Sequence, residues 1–131
     1  MVRSPRPSLA RGFSLALALL FWNAPHAFAA GDATKGADAF KRCTICHTAD
    51  KDGPNRIGPN LFGVVGRVAG SVSGYSYSTA MKASGLTWTE AELTEYLTSP
   101  KAKVPGNKMS FGGLSDANQL ADLIAYLKSL K

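Results

Sequence analysis

Cys43-Thr44-Ile45-Cys46-His47 places two thiols and an imidazole within five residues. These are the two cysteines of a 131-residue chain, and no other feature restricts the fold as strongly. Two intervening residues on a helical turn set the sulfurs about one turn apart, roughly 5.4 Å of rise. Three chemistries use such a pair. A redox disulfide calls for a βαβ setting, and no alternating strand pattern is visible here. Half of a zinc site needs a second Cys or His pair to complete four ligands, and none exists. The third is covalent attachment of haem c, for which C-x-x-C-H is the recognised sequence.

The haem reading explains the spacing. Two neighbouring thiols add to adjacent vinyl groups on one porphyrin edge, and the following histidine reaches the iron from below. His47 is then one axial ligand, and its other ring nitrogen should donate to a backbone carbonyl that fixes the ring. The donors left for the opposite side are few. His26 lies in the N-terminal segment, which leaves the thioethers of Met81 and Met109. His/Met ligation raises potential and suits electron transfer. Met109 sits in an irregular stretch, Pro105-Gly106-Asn107-Lys108-Met109-Ser110-Phe111, where a loop can aim a side chain. Met81 reads as core filler. The setting favours Met109, with Met81 as the alternative.

The N-terminus reads as an export signal. Arg3, Arg6 and Arg11 precede an uncharged apolar run over residues 12–22, and Ala27 and Ala29 follow in A-x-A spacing. A retained membrane anchor is the competing reading, but a spanning helix needs about 20 apolar residues and this run is shorter. We therefore expect residues 1–29 to be a secretory signal peptide and residues 30–131 to be one domain, exported to the periplasm. The chain carries fifteen Lys and Arg against nine Asp and Glu; three of the arginines lie in the signal, so residues 30–131 hold a balance of +3. There is no basic run and no basic stripe interleaved with aromatics, which argues against nucleic acid as a partner.

The remaining hundred or so residues read as all-α. Asp32 caps a first helix running to about Thr44, with Ala33, Ala37, Phe40 and Cys43 along one face. Residues 50–75 carry Gly53, Pro54, Gly58, Pro59, Gly63, Gly66, Gly70 and Gly74, which forbids long regular elements. So long a loop is unusual in a compact domain unless it wraps something other than chain. Thr89 and Glu92 form a capping box, with Trp88 and Leu93 at the staple positions. Pro100 ends that helix. Residues 101–114 return to loop. A final helix from about Asp116 to Leu130 aligns Leu120, Leu123, Ile124 and Leu127 on one face. A domain this small is marginal on its own burial, and a large apolar cofactor would serve as its staple.

With those residues in hand, the chain resembles the class I cytochromes c of the mitochondrial and bacterial periplasmic type, from about Gly31 to Leu130. The likeness rests on Cys43-x-x-Cys46-His47, Gly58-Pro59-Asn60-Leu61, Gly74-Tyr75-Ser76-Tyr77, Glu95-Tyr96-Leu97, Pro105-Gly106-x-Lys108-Met109 and Ala121-Asp122-Leu123-Ile124-Ala125-Tyr126-Leu127. The resemblance implies a small fold with crossing N- and C-terminal helices and long loops wrapped around one covalent haem c. It implies Cys43 and Cys46 as attachment sites and His47 and Met109 as iron ligands. It places the Pro59 carbonyl on His47, Tyr96 beside the Met109 sulfur, Trp88 and Tyr77 on a haem propionate, and Arg67 nearby. Gly36, Phe40 and Tyr126 would form the helix crossing. Two positions depart from many relatives. Asn107 stands where threonine is common and is expected to keep a propionate hydrogen bond. Met81 stands where asparagine is common, and would bring a second thioether near the haem with a changed potential.

The expected function is a soluble single-electron carrier and not an enzyme. It would act as a monomer, making transient contacts with a cytochrome reductase, an oxidase or a periplasmic dehydrogenase through acidic patches on the partner. Lys41, Arg42, Arg56, Lys101 and Lys108 match the haem edge that such patches would meet. Three rivals stay open on sequence: a dedicated electron-accepting subunit of one dehydrogenase, an enzyme or gas sensor with an open iron site, and a disulfide-stapled module without haem.

Overall fold

The computed structural model describes residues 30–131 and, before them, Ser4 alone. The expected export signal over residues 1–29 therefore lies outside the described residues. Within them the fold is all-α: α1 (Ala33–Phe40), α2 (Thr79–Lys82), α3 (Glu90–Thr98), α4 (Pro100–Lys103) and α5 (Ala117–Ser129). An isolated antiparallel bridge, Val68 with Thr87, is the β pairing among the described residues. No described helix is long and apolar enough to cross a membrane.

The first and last helices cross and hold the domain. Asp32 caps α1 by accepting from the Thr34 and Lys35 amides at 2.8 and 3.3 Å, and its own N–H donates to Asp122 of α5 at 2.7 Å. Asp116 caps α5 in the same way through Asn118 and Gln119. The stripe Leu120, Leu123, Ile124 and Leu127 is buried, with Leu123 only 1% exposed. Each such side chain contributes about 1.5–3 kcal/mol on burial. Phe40 of α1 lies against Tyr126 of α5 with ring centroids 5.1 Å apart.

Gly36 makes the crossing close. A Cβ built there would sit 2.0 Å from the Asp122 carbonyl oxygen, backbone that cannot step aside. Gly36→Ala should therefore push the two helices apart and cost about 1–3 kcal/mol or more, as overpacking does. A thermal unfolding midpoint unchanged from the parent would contradict that contact.

The predicted helices hold with three adjustments. α1 ends at Phe40 instead of Thr44, and turns carry the chain through Cys46. Pro100 ends α3 but also opens the one-turn α4, since proline fits the first helical position. The capping box is half realised: Thr89 accepts from the Glu92 amide at 3.2 Å, but the Glu92 carboxylate turns instead to Lys103 of α4 at 2.7 Å. The single turn of α2, capped by Ser78, follows the loop and buries Met81.

Candidate haem-binding site

The loops between α1 and α5 enclose one large cavity of about 560 Å³. All ten residues expected at the site line it: Cys43, Cys46, His47, Pro59, Arg67, Tyr77, Trp88, Tyr96, Asn107 and Met109. Eight of the thirteen buried hydrophobic residues line it too, among them Phe40, Val64, Leu123 and Leu127. The core of this domain is thus largely the wall of a container.

The CxxCH segment forms a turn along one part of that wall. The His47 and Cys46 amides both donate to the Cys43 carbonyl, at 2.9 and 3.1 Å. Both cysteines are half-buried and not paired with each other, and burial pushes the Cys43 thiol above its ordinary value. His47 Nδ1 lies 2.7 Å from the Pro59 carbonyl. A carbonyl only accepts, so Nδ1 carries the proton and Nε2 keeps its lone pair. Burial holds His47 below the usual imidazole range, opposed by the Pro59 hydrogen bond and assisted by Arg67. The neutral ring is the form that ligates metal. Gly58 lets the backbone pass under this ring: a Cβ there would sit 2.3 Å from His47 Cε1.

Met109 reaches the cavity from the long loop after α4. Tyr96 of α3 donates its O–H toward the Met109 sulfur at 3.9 Å. Tyr96 in turn packs on Trp88, with centroids 4.9 Å apart. Burial raises the Tyr96 pKa to about 12, so the phenol stays a donor across the neutral range. The linkage sign follows. A raised folded-state value stabilises fully below the unfolded pKa of about 10 and is lost as pH climbs through 12. Spectrophotometric titration should therefore find the Tyr96 step near pH 12, identified by its loss in Tyr96→Phe; a Tyr96 step near the unfolded value of about 10 would contradict the burial.

The other expected contacts divide. Tyr77 Oη accepts from the Val72 amide at 3.3 Å, which leaves its own proton free to donate. No hydrogen bond from the Trp88 indole is made among the described residues, although Trp88 is buried at the cavity wall. Arg67 donates to the carbonyls of Phe62 and Asn60, both at 3.0 Å, so it organises the loop as well as charging the wall. Asn107 differs from expectation. Both of its amide hydrogens are engaged, by Pro100 and Val104 carbonyls at 2.9 and 2.8 Å, so no donor remains for a propionate. Met81 is buried and lines the cavity, a second thioether beside the site.

Of the expected cationic rim, Arg42 and Lys108 reach the cavity mouth. Lys108 donates to the Ser76 carbonyl and lies 5.5 Å over the Tyr75 ring. Lys101 folds back on the Asn107 carbonyl, Arg56 on that of Thr44, and Lys41 pairs with Asp38 at 2.7 Å. Sequence reasoning missed Gly58, whose role shows only once the His47 ring is placed. It also missed Ser78, although a Ser three residues before Met81 is a capping signal.

Helices at the two ends, loops between them, and one apolar chamber holding two thiols, an imidazole and a thioether define a small covalent haem protein. The chamber fits that group: its walls are apolar, both thiols share one turn, and the ligand-type side chains come from opposite halves of the chain. The sequence model of the Cytochrome c family matches residues 33–131, and the chain belongs to the class I cytochromes c. It is 56% identical over 101 residues to a cytochrome c of Gibberella zeae, covering 76% of this chain and 95% of that one. It is 48% identical over 100 residues to cytochrome c2 of Blastochloris viridis, covering 76% and 79%. The solved structure of cytochrome cH from Methylobacterium extorquens is similar at TM-score 0.71 and 51% identity, covering 76% of this chain and 99% of that one. Members of the family are electron carriers that bind one covalently attached haem c.

Proposed function

We propose that this chain is an exported, monomeric single-electron carrier, with residues 1–29 removed on export and residues 30–131 working in the periplasm. Cys43 and Cys46 would form the two thioethers to a haem, and His47 and Met109 would ligate its iron. The observation that supports this most is that one cavity gathers all four side chains, the full complement that the chain owns outside residues 1–29 apart from Met81. When bound, the haem supplies a one-electron couple whose two oxidation states keep the same ligands.

The protein's own part is to hold everything still. Pro59 fixes the imidazole tautomer, and the close Gly58 backbone limits ring rotation. Tyr96 holds the thioether. Tyr77 and Trp88 would donate to a haem propionate, and the charge of the partly desolvated Arg67 would offset it. Apolar walls exclude water, which keeps reorganisation small. At the mouth, Arg42 and Lys108 attract acidic patches on a cytochrome reductase, an oxidase or a periplasmic dehydrogenase. With a modest +3 and Lys41 balanced by Asp38, steering acts on encounter rate and fades with salt. Such contacts are small and transient.

A pyridine haemochrome assay on exported protein, read with its ferric spectrum, tests the proposal. One haem per chain with a methionine-to-iron band is expected. Colourless protein, or coloured protein whose ferrous form binds carbon monoxide rapidly and tightly, would contradict it. Electron transfer to a membrane partner should slow as salt rises; rates flat in salt would remove the steering component.

A further inference from the structure

We infer that Asn107 is a positioning residue that fixes the Met109 loop over the cavity. This rests on Met109 being an iron ligand and concerns how it is kept there. Asn107 is 4% exposed and is the buried polar residue of the described core. Its side-chain nitrogen donates to Pro100 and Val104, which bracket α4, and its Oδ1 accepts from the Met109 amide at 2.9 Å. Its own N–H donates to Val104 at 3.1 Å, and its carbonyl accepts from Lys101 at 2.9 Å.

Among the described residues, the other hydrogen bonds across 105–112 are those of the Lys108 side chain to Ser76 and of Tyr96 to the Met109 sulfur. Beside the Lys101 contact to its carbonyl and its own N–H to Val104, the Asn107 side chain is what ties the backbone of the segment to α4 and to Met109. It reaches the backbone amide of the methionine itself, two residues away. The anchor it uses is firm. Lys103 of α4 pairs with Glu92 and Glu95 of α3 at 2.7 and 2.5 Å, and Leu114 returns the chain to α3 through the Leu97 carbonyl at 2.8 Å. Between these two moorings Asn107 is the tie. A buried asparagine with three satisfied polar contacts leaves carbonyls orphaned when it is shortened, and an opposing charge when it becomes aspartate.

The test uses ferric holoprotein and two readouts. Free imidazole binds only when Met109 is off the iron, so its apparent affinity reports the detached population. Amide exchange at Met109 reports the Asn107 bond directly. Asn107→Ala and Asn107→Asp should each raise imidazole affinity about tenfold or more and speed Met109 amide exchange comparably. Leu120→Ala, in the α5 stripe away from the cavity, should lower the unfolding midpoint and leave both readouts near wild type. Asn107 variants with unchanged imidazole affinity and exchange, or a Leu120→Ala shift as large as theirs, would overturn the inference. Should the variants fail to accumulate, the wild type decides: the Met109 amide must exchange about tenfold slower than that of exposed Lys108, and equal rates overturn it. A wild type lacking a methionine band fails the ligand assignment instead, and the exchange data then still read the loop.

Discussion

Replacing Cys43 and Cys46 together by serine is expected to remove the folded domain, and not merely its colour. Most of the buried hydrophobic side chains line the chamber of about 560 Å³. Left unfilled, a cavity destabilises by about 24 cal/mol per Å³, which here is on the order of 10 kcal/mol. A small domain has only about 5–15 kcal/mol in total. Water entering the chamber would lower that figure without supplying apolar contacts. The helix pair α1 and α5 has its own interface, so some helix should survive. Circular dichroism should show reduced helix and no cooperative thermal transition, with rapid proteolysis of residues 50–75. A cooperative transition near that of the parent would mean that the loops pack on chain alone.

Met109→Ala is expected to keep the fold and the covalent haem and to change the chemistry. Two thioethers and one imidazole stay intact, so the chamber remains filled and helix content is preserved. The Tyr96 hydroxyl loses its sulfur partner, and water or an added ligand takes the vacated position. The ferric methionine band should vanish, the ferrous form should bind carbon monoxide, and the potential should fall. Axial ligands span about 0.8 V, and losing the thioether should take on the order of 0.2 V of it. Met81 makes this variant informative, because its thioether also lines the chamber. If the band survives Met109→Ala and disappears in Met81→Leu, the second methionine is the ligand.

Much of this was legible in sequence for physical reasons that can be named. Asp32 and Thr89 announce their helices because short polar side chains satisfy orphan amides, and both cap; Asp116, read as the start of the last helix, proves to be its cap. The α5 stripe follows from periodicity alone. The glycine- and proline-rich middle is irregular, as its composition requires. Other features depend on distant partners. Glu92 leaves its capping box because Lys103, eleven residues on, offers a charge, and no local rule shows that. Asn107 turns inward to α4 carbonyls, whose availability depends on a turn of helix that begins at Pro100 and reads as loop. The cationic edge is thinner than the positions suggest, since side-chain charges fold back on nearby carbonyls and on Asp38. Residue types identify the site; which of its polar atoms are free is a property of the folded loops.

Proton NMR of the reduced, diamagnetic holoprotein with isotope-labelled methionine methyl groups tests the ligand pair most directly. A methyl held against a porphyrin face feels the ring current and moves far upfield of its ordinary range. We expect one methyl there, assigned to Met109 by its loss in Met109→Ala. Methionine methyls all at ordinary shifts, or an upfield signal that belongs to Met81, would contradict an iron held between His47 and Met109.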